Sequence, residues 1–274
     1  MPELPEVETI VRGLRERVRD LEFSSVDVRL PKCVRGSRKS FAVSLCGKRV
    51  VEVDRRGKNI VFRLSCGNSL IIHLGMSGRL RVVESDAPLE KHTHVVFEFR
   101  DRSDHLRFVD PRQFGRVSWD DGGRASPLAR LGPEPLTISA EEFAARAAGR
   151  RREIKPLLLD QQFLAGVGNI YADESLHRAG IHPRSRSHRL SGSAAFRLHG
   201  AIREVLEEAI RARGTSVRSY VDAAGSAGAF QKLLRVYGRE GEPCTRCGTP
   251  IRRERIGGRS TFFCPRCQRR KNVA

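Results

Sequence analysis

The chain has 274 residues, 39% of them hydrophobic, enough for two domains with real cores and a small additional module. Lys plus Arg total 51 against 32 Asp plus Glu, a formal charge of +19 with a pI near 10.7, which points to a polyanionic partner and most simply to nucleic acid. A stretch of about eighteen apolar residues is missing, as is the basic-then-apolar order of a secretory signal, so a membrane role is excluded and the expected location is the cytoplasm.

The N-terminus reads MPELPEVETI. Pro5 suits a first helical turn, where its missing N–H has no intrahelical partner, and Glu6 and Glu8 favour the positive end of the helix dipole. Pro2 and Glu3 precede that helix and are not explained by it. Over residues 5–20, Val7, Ile10, Val11, Leu14 and Val18 recur at helical spacing, which predicts an amphipathic helix. The period then changes. FSSVDVRL, KRVVEVD, NIVFRLS, SLIIHLG, THVVFEFR, HLRFVD and GRVSW are short, β-branched or alternating, and separated by turn residues. They predict an antiparallel sandwich of about eight strands, spanning 1–121 with the leading helix. The Gly/Pro-rich stretch at 122–136 reads as a linker.

From 137 to 238 the pattern is helical. SAEEFAARAA opens with a Ser cap and a Glu at capping-box distance, and REIKPLLLDQQFLAG, NIYADESLHRAG and a long segment around 188–212 follow. The last module, 239–274, holds Cys244, Cys247, Cys264 and Cys267 as two CxxC pairs with sixteen residues between them. That spacing brings four thiolates onto one tetrahedral zinc, whereas a redox CxxC needs only one pair. Cys33, Cys46 and Cys66 are scattered and read as bystander or buried thiols. Residues 244–274 carry nine Lys/Arg against one Glu, too basic for a mere folding clip. The fold class expected is thus α+β multidomain: a sandwich, a helical domain and a zinc-finger hairpin.

Within this frame several short stretches could carry chemistry. GVGN at 166–169 joins two helical segments, and the free N–H groups at a helix start suit a phosphate, although a helix cap alone explains it equally. HLGMSGRL holds Met76 in a strand-connecting turn, and DPRQFG presents Arg112 and Phe114 on another. These are either satellites of the core or wedges that unstack a base step while Arg fills the vacated space. Lys58 lies in the turn RRGKN, where a solvated lysine is the ordinary expectation.

MPELPEVE, RRGK at 55–58, HLGMSG at 73–78, DPRQFG at 110–115, LGPEPL at 131–136, GVGNIYADE at 166–174 and the terminal CxxC pairs occur in that order along the whole chain. Together they resemble the formamidopyrimidine-DNA glycosylase family, bacterial repair enzymes acting on oxidised purines; the opening resembles this branch rather than its relative endonuclease VIII. The resemblance implies a β-sandwich, a helix-two-turn-helix domain and a zinc finger, with double-stranded DNA holding an oxidised base or abasic site as partner and the protein acting as a monomer. It implies Pro2 as nucleophile once Met1 is removed, Glu3 as acid/base, Lys58 as a second catalytic cation, and Met76, Arg112 and Phe114 as intercalating residues. His73, Asn169 and Arg259 match phosphate contacts, Arg259 counting also among the catalytic residues, and Lys155 is grouped with the DNA contacts. Gln113 departs from the family's usual Arg, and residues 215–230 match a lesion-capping loop. Two other readings stay open from residues alone: an endonuclease VIII-like glycosylase for oxidised pyrimidines, and a non-catalytic zinc-containing binder of damaged DNA.

Overall fold

A computed structural model describes residues 1–123, 125–215 and 228–270. Two compact units emerge, the first made of residues 1–129 and 212–231 and the second of 130–211 and 232–274. The expected helical domain ran unbroken to 238. In the structure the described residues of 212–231 group instead with the first unit, where the Thr215 N–H donates to the buried Glu6 carboxylate at 2.7 Å. The expected lesion-capping loop lies, from 216 to 227, outside the described residues.

The first unit opens with helix α1 (Leu4–Val18). Its predicted stripe, Val7, Ile10, Val11, Leu14 and Val18, is buried, and each such side chain contributes about 1.5–3 kcal/mol when removed from water. Eight strands follow: β1 (Phe23–Val28), β2 (Val50–Arg56), β3 (Asn59–Leu64), β4 (Ser69–His73), β5 (Arg79–Glu84), β6 (Thr93–Phe99), β7 (Asp104–Val109) and β8 (Arg116–Asp120). They form two antiparallel sheets of order β1-β6-β7-β5 and β2-β3-β4-β8, as the sandwich reading expected. A helix the sequence pattern did not announce, α2 (Arg38–Leu45), packs on β1 and β8. Both helices share one continuous core with the sheets, in which Phe23 stacks on Phe99 at 5.1 Å.

The second unit holds α3 (Ala140–Ala148), α4 (Ile154–Leu158), α5 (Asn169–Ala179) and α6 (Gly192–Arg211), then the hairpin β9 (Arg252–Ile256) and β10 (Arg259–Phe263). Ser139 caps α3 as expected, its hydroxyl accepting the Glu142 N–H at 3.1 Å. Helix α4 is far shorter than its pattern. The Asp160 carboxylate accepts the Gln162 N–H while its carbonyl accepts those of Phe163 and Leu164, so a local turn competes with the helix.

A fully buried ion pair sits in this unit. Lys155 Nζ lies 2.7 Å from Asp173 Oδ1 and donates to Ser260 O and Thr261 Oγ1, while Asp173 Oδ2 accepts the Phe262 N–H. Burial pushes the Asp173 carboxyl up, to about 7, against the opposing pull of the Lys155 ammonium. The pair ties α4 and α5 to β10. Asp173→Asn should therefore cost about 3–5 kcal/mol by stranding a buried ammonium, read from urea unfolding by circular dichroism, and Lys155→Met combined with Asp173→Leu should recover most of it.

Candidate active site and zinc centre

The first residues of the chain are held by their own carboxylates. Glu3 is the N-cap residue of α1, and its N–H donates to Glu6 Oε2 at 2.8 Å. Glu8 faces β2 and pairs with Arg55 at 3.1 Å, and the same guanidinium donates to the carbonyl of Gly57 at 3.0 Å. Glu6 and Glu8 thus have specific partners beyond the helix dipole: one anchors the N-terminal backbone, the other joins α1 to the turn Gly57–Lys58. Pro2 and Glu3 are both buried, beneath an exposed Met1.

Lys58 stands at the tip of the β2–β3 hairpin, where Arg56 pairs with Asn59 across a two-residue turn. A lysine at such a tip is ordinarily in water, yet this one is 6% exposed. Sheet register sets its neighbours: Asn59 pairs with His73 on β4, and His73 with Arg116 on β8. Burial first, then the charges of Lys58 and Arg116, hold His73 below its ordinary pKa. His73 Nδ1 accepts the Gly75 N–H at 3.1 Å, so a neutral ring carries its proton on Nε2, ready to donate to an anion.

Met76 and Phe114 emerge from two interlocked turns. Gly75 has φ +62, and a Cβ there would lie 2.6 Å from Gly115 N and 2.7 Å from Phe114 C, so only glycine lets the two backbones touch. Asp110, wholly buried, fastens them together: Oδ2 accepts the Gly115 N–H at 2.7 Å, while Oδ1 accepts from the Ser77 hydroxyl and, at 3.3 Å, from the Arg112 N–H. Phe114 is left 51% exposed with the Arg112 guanidinium 5.1 Å from its ring centre. Asp110 did not stand out in the sequence; its only signal was its place in DPRQFG.

The remaining expected residues lie in the second unit. Asn169 begins α5, and its Nδ2 donates to Ser260 O at 3.0 Å. Arg259 is exposed beside the Gly257–Gly258 turn, whose φ values of +56 and +78 allow the tightest hairpin connection. Lys155 differs from its expected place among DNA contacts. With no exposed surface, its ammonium holds β10, the strand that carries Arg259.

Cys244, Cys247, Cys264 and Cys267 converge, their sulfurs all within 4.8 Å of one another. Pairs at 3.9, 3.5 and 3.4 Å compare with about 3.8 Å between ligands of a tetrahedral zinc with Zn–S near 2.3 Å. The four thiols fit one structural zinc. Of the scattered cysteines, Cys33 is buried, its thiol pushed up to about 11 by desolvation, while Cys46 and Cys66 are exposed.

Family models match almost the whole chain: the formamidopyrimidine-DNA glycosylase N-terminal domain over 1–117, the H2TH domain of that enzyme over 131–221, and a zinc finger found in FPG and IleRS over 241–270. The formamidopyrimidine-DNA glycosylase of Desulforamulus reducens is 46% identical, over 99% of this chain and all of the relative. A Lactococcus lactis Fpg complex with DNA containing an abasic site superimposes with a TM-score of 0.91 at 38% identity, covering 98% of this chain and 100% of that one. A complex of the wild-type Lactococcus lactis protein with DNA containing N7-benzyl-Fapy-dG gives the same values.

The depressed His73 has a measurable consequence. Below about pH 6.5 the unfolded chain takes up a proton that the folded ring refuses, so stability is lost as pH falls through that window. Denaturant unfolding should show wild type losing stability relative to His73→Gln between about pH 7 and about pH 5.5, with no relative change above it.

Proposed function

The chain belongs to the formamidopyrimidine-DNA glycosylase family, and from that membership we propose how its own residues divide the work of a base-excision repair enzyme. The protein removes oxidised purines from DNA and cleaves the strand at abasic sites. Its partner is damaged double-stranded DNA, and one zinc supports the C-terminal module. Among the described residues no helix is long and apolar enough to cross a membrane, and the cytoplasm is the compartment proposed.

In this reading Pro2 becomes the nucleophile when Met1 is removed. Its secondary amine attacks C1′ of the damaged nucleotide, the C1′–N bond breaks with its electron pair going to the base, and ring opening leaves an iminium. A proton lost from C2′ then expels the 3′ phosphate, a second elimination expels the 5′ phosphate, and water releases the amine. An α-amino group has an ordinary pKa of about 7.7–8.0, and the positive end of α1 disfavours its protonated form. Glu3, adjacent to the nucleophile and fixed as N-cap, is suited to exchange protons with the sugar and the leaving base.

The observation that carries this assignment is the buried Lys58, linked through Gly57, Arg55 and Glu8 to helix α1, which follows Pro2 and Glu3. Burying an ammonium at a hairpin tip is costly, and it places a fixed positive charge beside His73. As the second cation, Lys58 sits with His73 and Arg116 at one end of a sheet, where they can receive phosphate and developing negative charge. Met76, Arg112 and Phe114 take the part of the wedge: two exposed apolar side chains enter the stack, and the guanidinium pairs with the orphaned base. Asn169 and Arg259 supply further phosphate contacts.

While Met1 remains, the Pro2 nitrogen is a tertiary amide whose lone pair is delocalised into the carbonyl. A protein with an uncleavable N-terminal extension, its terminus verified by mass, should bind zinc and DNA yet give no borohydride-trapped adduct with 8-oxoguanine duplex. Wild-type levels of adduct would transfer the nucleophile's role to a lysine, with Lys58 first in line. Phe114→Ala and Met76→Ala should slow excision from duplex more than cleavage at a preformed abasic site, where no base has to be unstacked; equal slowing would reduce both residues to supports of the fold.

A further inference from the structure

Helix α5 carries Asn169, Asp173 and His177 at four-residue spacing, hence on one face. Each meets the cysteine module at a different point. Asn169 donates to Ser260 O, Asp173 accepts from the Phe262 N–H, and His177 Nε2 lies 3.5 Å from Cys244 Sγ. The first two belong to the phosphate contact and the buried ion pair already described. The third has no part in either.

His177 is 2% exposed, so its imidazole has been taken out of water and aimed at a sulfur. A cysteine sulfur that ligates zinc is a thiolate and offers only lone pairs. The ring nitrogen facing it must therefore carry the proton. A second tie runs between the same two elements: Arg246, inside the first CxxC, donates one guanidinium nitrogen to His177 O and the other to Arg178 O, each at 3.0 Å. The first knuckle is thus held to the end of α5 through both a side chain and the main chain.

We propose that His177 is a positioning residue of the zinc centre, its Nε2–H donating to the Cys244 thiolate. The bond is charge-assisted and withdraws electron density from the sulfur, so Cys244 becomes a poorer target for protons, oxidants and alkylating agents. It also fixes the direction from which Cys244 approaches the metal. Zinc retention then depends also on a residue outside the four-cysteine pattern, at the end of the helix whose Asn169 and Asp173 already hold the hairpin.

The test uses full-length, zinc-loaded protein and reads zinc release to a chromogenic chelator, with and without hydrogen peroxide, together with the order of cysteine alkylation by mass spectrometry. His177→Phe keeps a ring and removes the donor. It should release zinc about ten-fold faster, a typical consequence of deleting a partner behind a metal ligand, and Cys244 should be alkylated earlier in the series. His177→Gln, whose amide N–H reaches the same region, should return release to within about three-fold of wild type. Wild-type release rates and alkylation order in His177→Phe would overturn the proposal. Should His177→Phe take up no zinc, the glutamine variant decides: retention supports a donor, and rapid loss assigns the residue to ring packing and overturns it. A wild-type protein without zinc would overturn the metal centre and this role with it.

Discussion

Carboxylates withdrawn from water hold the irregular backbone of both units. Glu6 accepts the N–H groups of Glu3 and Thr215, Asp110 those of Arg112 and Gly115, Asp173 that of Phe262, and Glu174 those of Arg235, Val236 and Tyr237. Loops and helix starts leave donors without partners in regular secondary structure, and a buried carboxylate is too costly to leave unsatisfied. Each need answers the other. Replacing any of these acids by a neutral isostere changes an acceptor into a donor facing N–H groups, which is why a small chemical change there would disturb a wide stretch of backbone.

Segments bearing the proposed site are supported in this way almost everywhere. The N-terminal residues hang on Glu6, the wedge turns on Asp110, and the Arg259 hairpin on Asp173. The sandwich contributes register, setting Lys58, His73 and Arg116 together across three strands. Position along the chain predicts little of this, since these three residues are up to 58 apart in sequence, from 58 to 116.

Much of the fold was legible because its signals are periodic. The α1 stripe, the alternating strands and the paired cysteines each repeat one physical requirement at fixed spacing, and the structure meets all three. Helix α4 was over-read because apolar spacing says nothing of Asp160 turning the backbone with its own side chain. Helix α2 was missed because its short stretch buries only Phe41 and Leu45. For the site, motif order pointed to residues that stand exposed on turns, but the burial of two lysines was not legible. Lys58, a solvated lysine by its place in a turn and a catalytic cation by family resemblance, is enclosed; Lys155 was set among DNA contacts and lies within an ion pair. Beyond Asp110's place in DPRQFG, Asp110 and His177 gave no sign, because an acid in a loop or a histidine in a helix has no periodicity to reveal what it faces.

The preference for arginine over lysine also bears on side reactions. An opened sugar presents an aldehyde, and any unprotonated amine within reach can condense with it. Guanidinium stays protonated and cannot form such an adduct. The chain's 51 basic residues comprise 43 Arg and only 8 Lys, and among the described lysines Lys155 is wholly buried. Attraction for a polyanion is therefore supplied mostly by groups that are inert toward the product aldehyde. The protein can grip a reactive sugar over many contacts while offering it few amines that would trap the enzyme on its own product.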